Sequence, residues 1–446
     1  MAICDGIKLN SISGQKSLLV QSPRKLRRMI QSPLFKNVST VFGGDSLAKA
    51  IGFLTTWILI RHLTPDEYGI FSILDMVAGV SAGLITTGFN WSMIKSVASQ
   101  KKDSATAWGV ARNVLKIEII YGLILAIGLY FGAAFISKNL FHKPELLFYI
   151  RLCSIGVLGN ILFTYRNAIF QAFMKFRLNA VFTASHSLCY LGIILLFLLK
   201  DQFNIRIISI VYVSLPFGIS IIAIALLRDG FKKARKERLF DFFSTMGSNY
   251  GWLLCYTLCL WFSGQFHMII LSRNFPMQEV GLYGFACKIY GISLMIMFSI
   301  KTVLLPTFSG IKERNELKTS FKKTLKATAG ISVCFLISIP FLGFFVHTFA
   351  GERYSGAGTM LQILIFGTAT STLLSPPVNV LFALDKFKLI AIGGLIFVTI
   401  NTAGQLALTP IYGGLGAASI QVLSHLVLNS YFTFNVYRLL YAQKSF

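Results

Sequence analysis

The chain has 446 residues, 54% of them hydrophobic and only 13% charged, and its 42 Lys and Arg outnumber 17 Asp and Glu to give a net charge of +25. Soluble domains carry roughly 25% charged residues, so a water-soluble fold could not cover this much apolar surface. The cysteines fall mostly inside apolar stretches, with no Cys-x-x-Cys and no metal-like Cys/His spacing, and read as small core hydrophobes rather than a disulfide framework.

Residues 1–38 lack the apolar segment of a cleavable leader and carry Lys8, Lys16, Arg24, Lys25, Arg27, Arg28 and Lys36 against Asp5. They read as a cytoplasmic basic tail, either disordered or upstream of a true start at Met29, or one in which Ser22-Pro23 opens a short interfacial helix through Arg24, Leu26, Arg27 and Ile30. Beyond it, apolar stretches near 40–60, 70–94, 113–137, 146–165, 178–199, 206–227, 248–271, 281–305, 324–349, 358–382, 389–408 and 417–437 each approach the ~20 residues that span hydrocarbon. The reading is an all-α integral membrane protein of about twelve transmembrane helices, in two six-helix lobes around a central cavity. The lobes are expected at 39–227 and 248–440, joined by a cytoplasmic linker at 228–247 and followed by a short tail at 441–446. Pro216, Pro340 and Pro376-Pro377 are expected to kink their helices.

With the N-terminus inside, the cytoplasmic segments hold roughly 30 Lys and Arg and the outer loops roughly seven, which puts both termini in the cytoplasm. The heaviest clusters are Arg228, Lys232, Lys233, Arg235, Lys236 and Arg238, then Lys312, Arg314, Lys318, Lys322 and Lys323. The positive charge therefore sets topology, and no nucleic-acid partner is expected.

An internal echo supports two halves. Arg61-His-Leu-Thr-Pro-Asp-Glu67-Tyr-Gly69-Ile-Phe71 recurs as Arg273-Asn-Phe-Pro-Met-Gln-Glu279-Val-Gly281-Leu-Tyr283, each time on the outer loop between the first two helices of a half.

Charges inside the spans are the functional candidates, because a Lys or Asp at a helix centre costs about 2.5–3.5 kcal/mol and is retained where it meets a partner or a wet cavity. They are Asp45 and Lys49, Asp75, Glu118, Arg151, Lys288 and Lys301. Asp45 and Lys49 share one helical face and could neutralise each other; Lys301, Lys116 and Arg151 lie near helix ends and could snorkel. Lys288 sits about two turns into its span and reads as a cavity-facing cation. With Lys49 in the matched half, it would make an electropositive chamber suited to a pyrophosphate. Asp45, Asp75 and Glu118 are the candidates for taking up H⁺ or Na⁺ as a driving ion, and no other cofactor or metal is expected. His186 and His267 read as satisfied core histidines.

Ile60-Arg61-His62-Leu63-Thr64-Pro65-Asp66-Glu67-Tyr68-Gly69 and Gly88-Phe89-Asn90 to Lys95 resemble the first outer loop and second helix of the polysaccharide-biosynthesis flippases of the multidrug/oligosaccharidyl-lipid/polysaccharide exporter superfamily. Gln171 to Phe176, Glu279-Val280-Gly281-Leu282-Tyr283 to Lys288, Phe349 to Tyr354 with Leu361 to Leu364, and Tyr412 to Ala418 are similar to later segments of that family, in order. The resemblance implies a flippase rather than an enzyme. It would move an undecaprenyl-pyrophosphate-linked oligosaccharide across a bacterial inner membrane by alternating access, for O-antigen, capsule or exopolysaccharide synthesis. Lys49 and Lys288 match positions where basic residues are common in that family, and with Lys301 they are the expected substrate-binding cations; membrane lipids, a polysaccharide polymerase and a chain-length regulator are the implied partners. An acidic residue common in the family near His267 is absent, which leaves ion coupling through that helix in doubt. The alternative within the superfamily is a multidrug exporter, whose cationic cargo a cation-lined cavity would repel.

Overall fold

Each expected apolar stretch is helical in the computed structural model, which describes the backbone of residues 33–99, 104–235, 248–309, 311 and 313–442. The basic tail before residue 33, including the interfacial helix expected after Ser22, lies outside the described residues, as do Lys236 to Arg238 and the side chains of Asp45 and Lys301. The first half comprises α1 (Pro33–His62), α2 (Pro65–Ser99), α3 (Ser104–Phe135), α4 (Leu147–Ala172), α5 (Phe176–Leu199) and α6 (Ile205–Ala225). The second comprises α7 (Ser248–Asn274), α8 (Met277–Ser309), α9 (Arg314–Ala350), α10 (Ala357–Leu373), α11 (Pro376–Ala383) and α12 (Phe387–Tyr437).

Among the described residues, eight helices are long and apolar enough to cross a bilayer, and the pair α10–α11 adds a ninth span bent by 44°. That bend falls at Pro376-Pro377, where two successive backbone donors are missing. Pro216 and Pro340 instead sit inside α6 and α9, which continue through them. Helix α12 reverses at Gly413, whose φ of 58° suits a residue without a Cβ. Its arms run back along each other: Asn401 donates to Gln421 Oε1 at 3.1 Å, and Gln405 to the Ala417 carbonyl at 3.1 Å. One helical element thus supplies the last two expected spans.

The helices of each half pack mainly on one another, α4 against α2, α3 and α6, and α12 against α7, α10 and α11. The halves join where α2 crosses α8. At that crossing the two glycines of the sequence echo face each other: a Cβ on Gly69 would enter the Met277 carbonyl oxygen, and one on Gly281 the Pro65 carbonyl oxygen. Small residues let helices approach this closely in a membrane. Locally, α2 starts in a reciprocal cap, the Thr64 N–H donating to Glu67 Oε2 at 2.9 Å and the Glu67 N–H to Thr64 Oγ1 at 3.3 Å. The matching Glu279 does something different: it accepts from the Gly414 N–H at 3.0 Å and so ties α8 to the reversal of α12.

This end of the bundle, the upper end, is stitched further by Arg61 and Trp57, which donate to the Thr348 and Phe349 carbonyls at 2.7 and 3.1 Å. The Tyr354 hydroxyl donates to the Leu63 carbonyl at 3.2 Å, and burial pushes its phenol up, which keeps it a donor. A single apolar core spans both halves here, with Leu59, Tyr68, Phe71 and Ile150 from one and Leu271, Tyr283, Phe285 and Leu361 from the other. Among the described residues, the halves have separate cores at the lower end, Val97, Tyr165 and Phe170 in the first and Phe308, Phe397 and Phe432 in the second, while Trp261 of α7 still lies against Gly83 of α2. The halves thus share a sealed core above and keep separate cores below.

Gly281→Val is expected to destabilise the protein by about 1–3 kcal/mol, the usual range for overpacking, seen as a lower unfolding temperature in detergent. Gly128→Ala, at an open position on α3, is expected to leave that temperature unchanged or raise it slightly. Equal temperatures for Gly281→Val and the parent would show that the crossing is not a tight contact.

Candidate functional site

Below the crossing, Tyr68, Ser72, Asp75, Met76 and Gly79 recur at three- and four-residue spacing and so form one stripe of α2, while Gly284, Cys287, Lys288 and Gly291 do the same on α8. The two stripes border a cavity of about 930 Å³, whose remaining wall comes from α7, α10, α11 and α12. From the first half, among the described residues, α2 alone contributes to the lining, so the chamber lies largely within the second half.

Asp75 and Lys288 are the only Asp, Glu, Lys or Arg on that lining among the described residues. They meet each other: Lys288 Nζ lies 3.3 Å from Asp75 Oδ2, with the side chains 44% and 38% exposed. The Tyr212 hydroxyl of α6 donates to the other carboxylate oxygen of Asp75. The Tyr212 ring is wedged against Phe71 and Tyr190, with centroids at 5.0 and 5.8 Å, which fixes the donor. The pair is an ion bridge between the halves with one phenol holding the acid in place, and its partial exposure leaves the ammonium reachable by an anion in the chamber.

Other expected residues fall elsewhere. Lys49 is exposed on α1, a helix that packs on α5, and it is not on the cavity lining. The expected pairing of two cations across one chamber is therefore replaced by a cation facing an acid of the opposite half. Asp75, expected as an ion-coupling carboxyl, is engaged by Lys288. Glu118 is fully buried in the first half, away from the lining, with no hydrogen-bond partner for either carboxyl oxygen among the described residues. His267 is buried on the cavity wall against Tyr283, ring centroids 5.3 Å apart, and His186 packs on Phe163 at 4.8 Å. Arg151 stacks on Tyr130 at 5.4 Å.

Two features escaped the sequence reading. Arg166 is fully buried in α4, its guanidinium 4.2 Å from the Phe163 ring and donating to Asn167 and Thr183. The second is the uncharged polar wall made by Ser371, Asn379, Gln421, His425 and Asn429. Its signal was available: Gln421, His425 and Asn429 follow one another at four-residue intervals in an otherwise apolar stretch.

Residues 34–312 match the profile of a family described as polysaccharide biosynthesis protein. The probable flippase AglR of Haloferax volcanii is 27% identical over 169 residues, 35% of this chain and 34% of that protein, so the match spans about a third of this curated relative. The lipid II flippase MurJ in an inward closed conformation superposes with a TM-score of 0.71 at 13% identity, covering 89% of this chain and 87% of that one. An inward-facing multidrug resistance MATE family transporter of the MOP superfamily gives 0.69 at 14% identity, covering 91% of this chain and 100% of that one. At such identities the likeness is one of fold.

Asp75→Asn and Lys288→Met are each expected to lower stability, with the double variant less destabilised than the sum. A coupling of about 0.5–3 kcal/mol from unfolding curves of the four proteins is the signature of a direct pair. Additive effects would mean that the bridge contributes nothing.

Proposed function

The chain belongs to the polysaccharide biosynthesis protein family, and from that premise we propose that it is a flippase for a lipid-linked oligosaccharide. The cargo is an undecaprenyl-pyrophosphate carrier bearing a sugar repeat, for O-antigen, capsule or exopolysaccharide synthesis. The observation that carries the reading is the chamber whose Asp, Glu, Lys and Arg, among the described residues, are confined to the Lys288–Asp75 bridge. A phosphate oxygen competes with the Asp75 carboxylate for the Lys288 ammonium; displaced, Asp75 keeps its hydrogen bond from Tyr212. Binding therefore loosens a tie between the halves, while the polyprenyl tail stays in lipid. Lys49, which is off the lining, and Lys301 would serve as further cations that bind the cargo.

The basic residues Arg228, Lys232, Lys233 and Arg235 and Arg314, Lys318, Lys322 and Lys323 follow the lower ends of α6 and α8. By the positive-inside rule this supports a cytoplasmic lower end in a bacterial inner membrane, with both termini inside. The sealed upper end then faces outward, and the state described loads cargo from the cytoplasmic side. Alternating access requires α2 and α8 to part at Gly69 and Gly281. H⁺ or Na⁺ would drive the cycle through Asp45, Asp75 or Glu118. Hand-over to a polymerase and a chain-length regulator would consume the product. Export of a small cationic drug is the rival reading, favoured by the MATE likeness and by the presence of Asp75 on the lining; it makes Asp75, not Lys288, the group that holds cargo.

Lys288→Ala is expected to lose about 1.5–3 kcal/mol of cargo binding, the worth of a hydrogen bond to a charged group, or roughly ten- to hundredfold in affinity. Lys288→Arg should retain most of it. Flipping of undecaprenyl-pyrophosphate oligosaccharide in proteoliposomes measures this. Full flux through Lys288→Ala, together with drug efflux that depends on Asp75, would replace the flippase reading with its rival.

A further inference from the structure

Resting on the flippase reading, we infer that the uncharged wall of the chamber is a glycan subsite, in which Gln421, His425 and Asn429 of α12, with Ser371 of α10 and Tyr256 of α7, bind the neutral hydroxylated part of the cargo. The three α12 residues lie four apart and so form one line along the helix, about 12 Å long at 1.5 Å per residue, and all three face the chamber. Amides and an imidazole in a membrane span are expensive unless something uses them.

Their second partners hold them in fixed directions. Asn401 on the other arm of α12 donates to Gln421 Oε1 at 3.1 Å, and Gln421 Nε2 meets His425 Nε2 at 3.3 Å. The His425 ring leans on Phe397 at 4.8 Å, and Asn429 donates to Ser371 Oγ at 3.3 Å. Packing between the arms explains Asn401, which is fully buried, and its partner Gln421; it does not explain His425 and Asn429, polar residues that also border the chamber.

The chemistry of the wall selects among the parts of such a cargo. It carries no Lys or Arg to favour phosphate and no carboxylate to hold a cation, and an acyl chain would bury amides without satisfying them. A sugar supplies hydroxyl donors and acceptors to match amides, and apolar ring faces to lie on an aromatic. Tyr256, braced by Phe382 and Phe432 with centroids at 6.4 and 6.2 Å, offers that surface. Lys288 then takes the phosphate and the wall takes the sugars, so the two parts of the cargo are read by different sides of one chamber.

The test measures binding to the full chain in nanodiscs with two probes: bare undecaprenyl pyrophosphate, and the sugar-bearing lipid-linked oligosaccharide extracted from the source membranes. His425→Leu and Asn429→Leu are each expected to weaken the sugar-bearing lipid by about three- to tenfold, as for one or two lost hydrogen bonds, and to leave the bare lipid unchanged. Lys288→Ala should weaken both probes alike. Asn429→Gln, which keeps the amide, should restore part of the loss and covers the case in which Asn429→Leu fails to fold. Unchanged affinity of the His425 and Asn429 variants for both lipids would overturn the subsite while leaving the flippase reading intact. Equal weakening of both would overturn it too, since the wall would then not distinguish sugar. If the parent binds neither lipid, the flippase reading itself falls and the subsite with it.

Discussion

Two helix backbones reach contact only where neither carries a side chain at the meeting point, and in hydrocarbon no hydrophobic drive compensates for a looser fit. The crossing of α2 and α8 at Gly69 and Gly281 meets that constraint. With the helices held so close, Tyr68, Phe285 and Tyr354 pack edge to face around the crossing, centroids 5.5 to 6.5 Å apart, and one core seals the upper end. Below it the stripes of α2 and α8 border the chamber. Asp75 and Lys288 lie six and seven residues beyond their glycines, so the register of the crossing is also what brings acid and base together.

The electrostatics follow from the solvent. A lone ammonium in a span is costly, and a lone carboxylate equally so; side by side across the halves, each offsets the desolvation of the other. Because both are partly exposed to the chamber, the bridge is a modest tie, and a pyrophosphate with two negative charges is a better partner for Lys288 than one carboxylate. Arg166 shows another solution to the same problem, in which aromatic faces and two neutral acceptors stand in for a counter-ion.

The two copies of the echo have diverged in what they hold. Glu67 closes its own helix cap, a local task, whereas Glu279 reaches the reversal of α12 and anchors a distant element. The chamber is correspondingly lopsided: the first half presents one stripe of α2, and the second half supplies the aromatic and amide wall. Among the described residues, the first half thus borders the chamber with one helix and the second half furnishes the rest of its wall.

Sequence alone determined that the chain is all-helical and membrane-spanning, roughly where its apolar helices fall, the Gly-rich turn at which α12 reverses, and the echo, because hydropathy, turn chemistry and repetition are local properties of the chain. It also singled out Asp75, Lys288 and Glu118, since a charge in an apolar run is visible without knowing its neighbours. What it could not decide was company. Asp75 and Lys288 are 213 residues apart, and only the α2–α8 crossing makes them partners. Lys49 looked equivalent to Lys288 along the chain, yet α1 packs on α5 and carries it away from the chamber wall. Which charges meet, and which polar residues share a wall, depends on helix rotation and crossing, and those are settled by side-chain packing between distant segments.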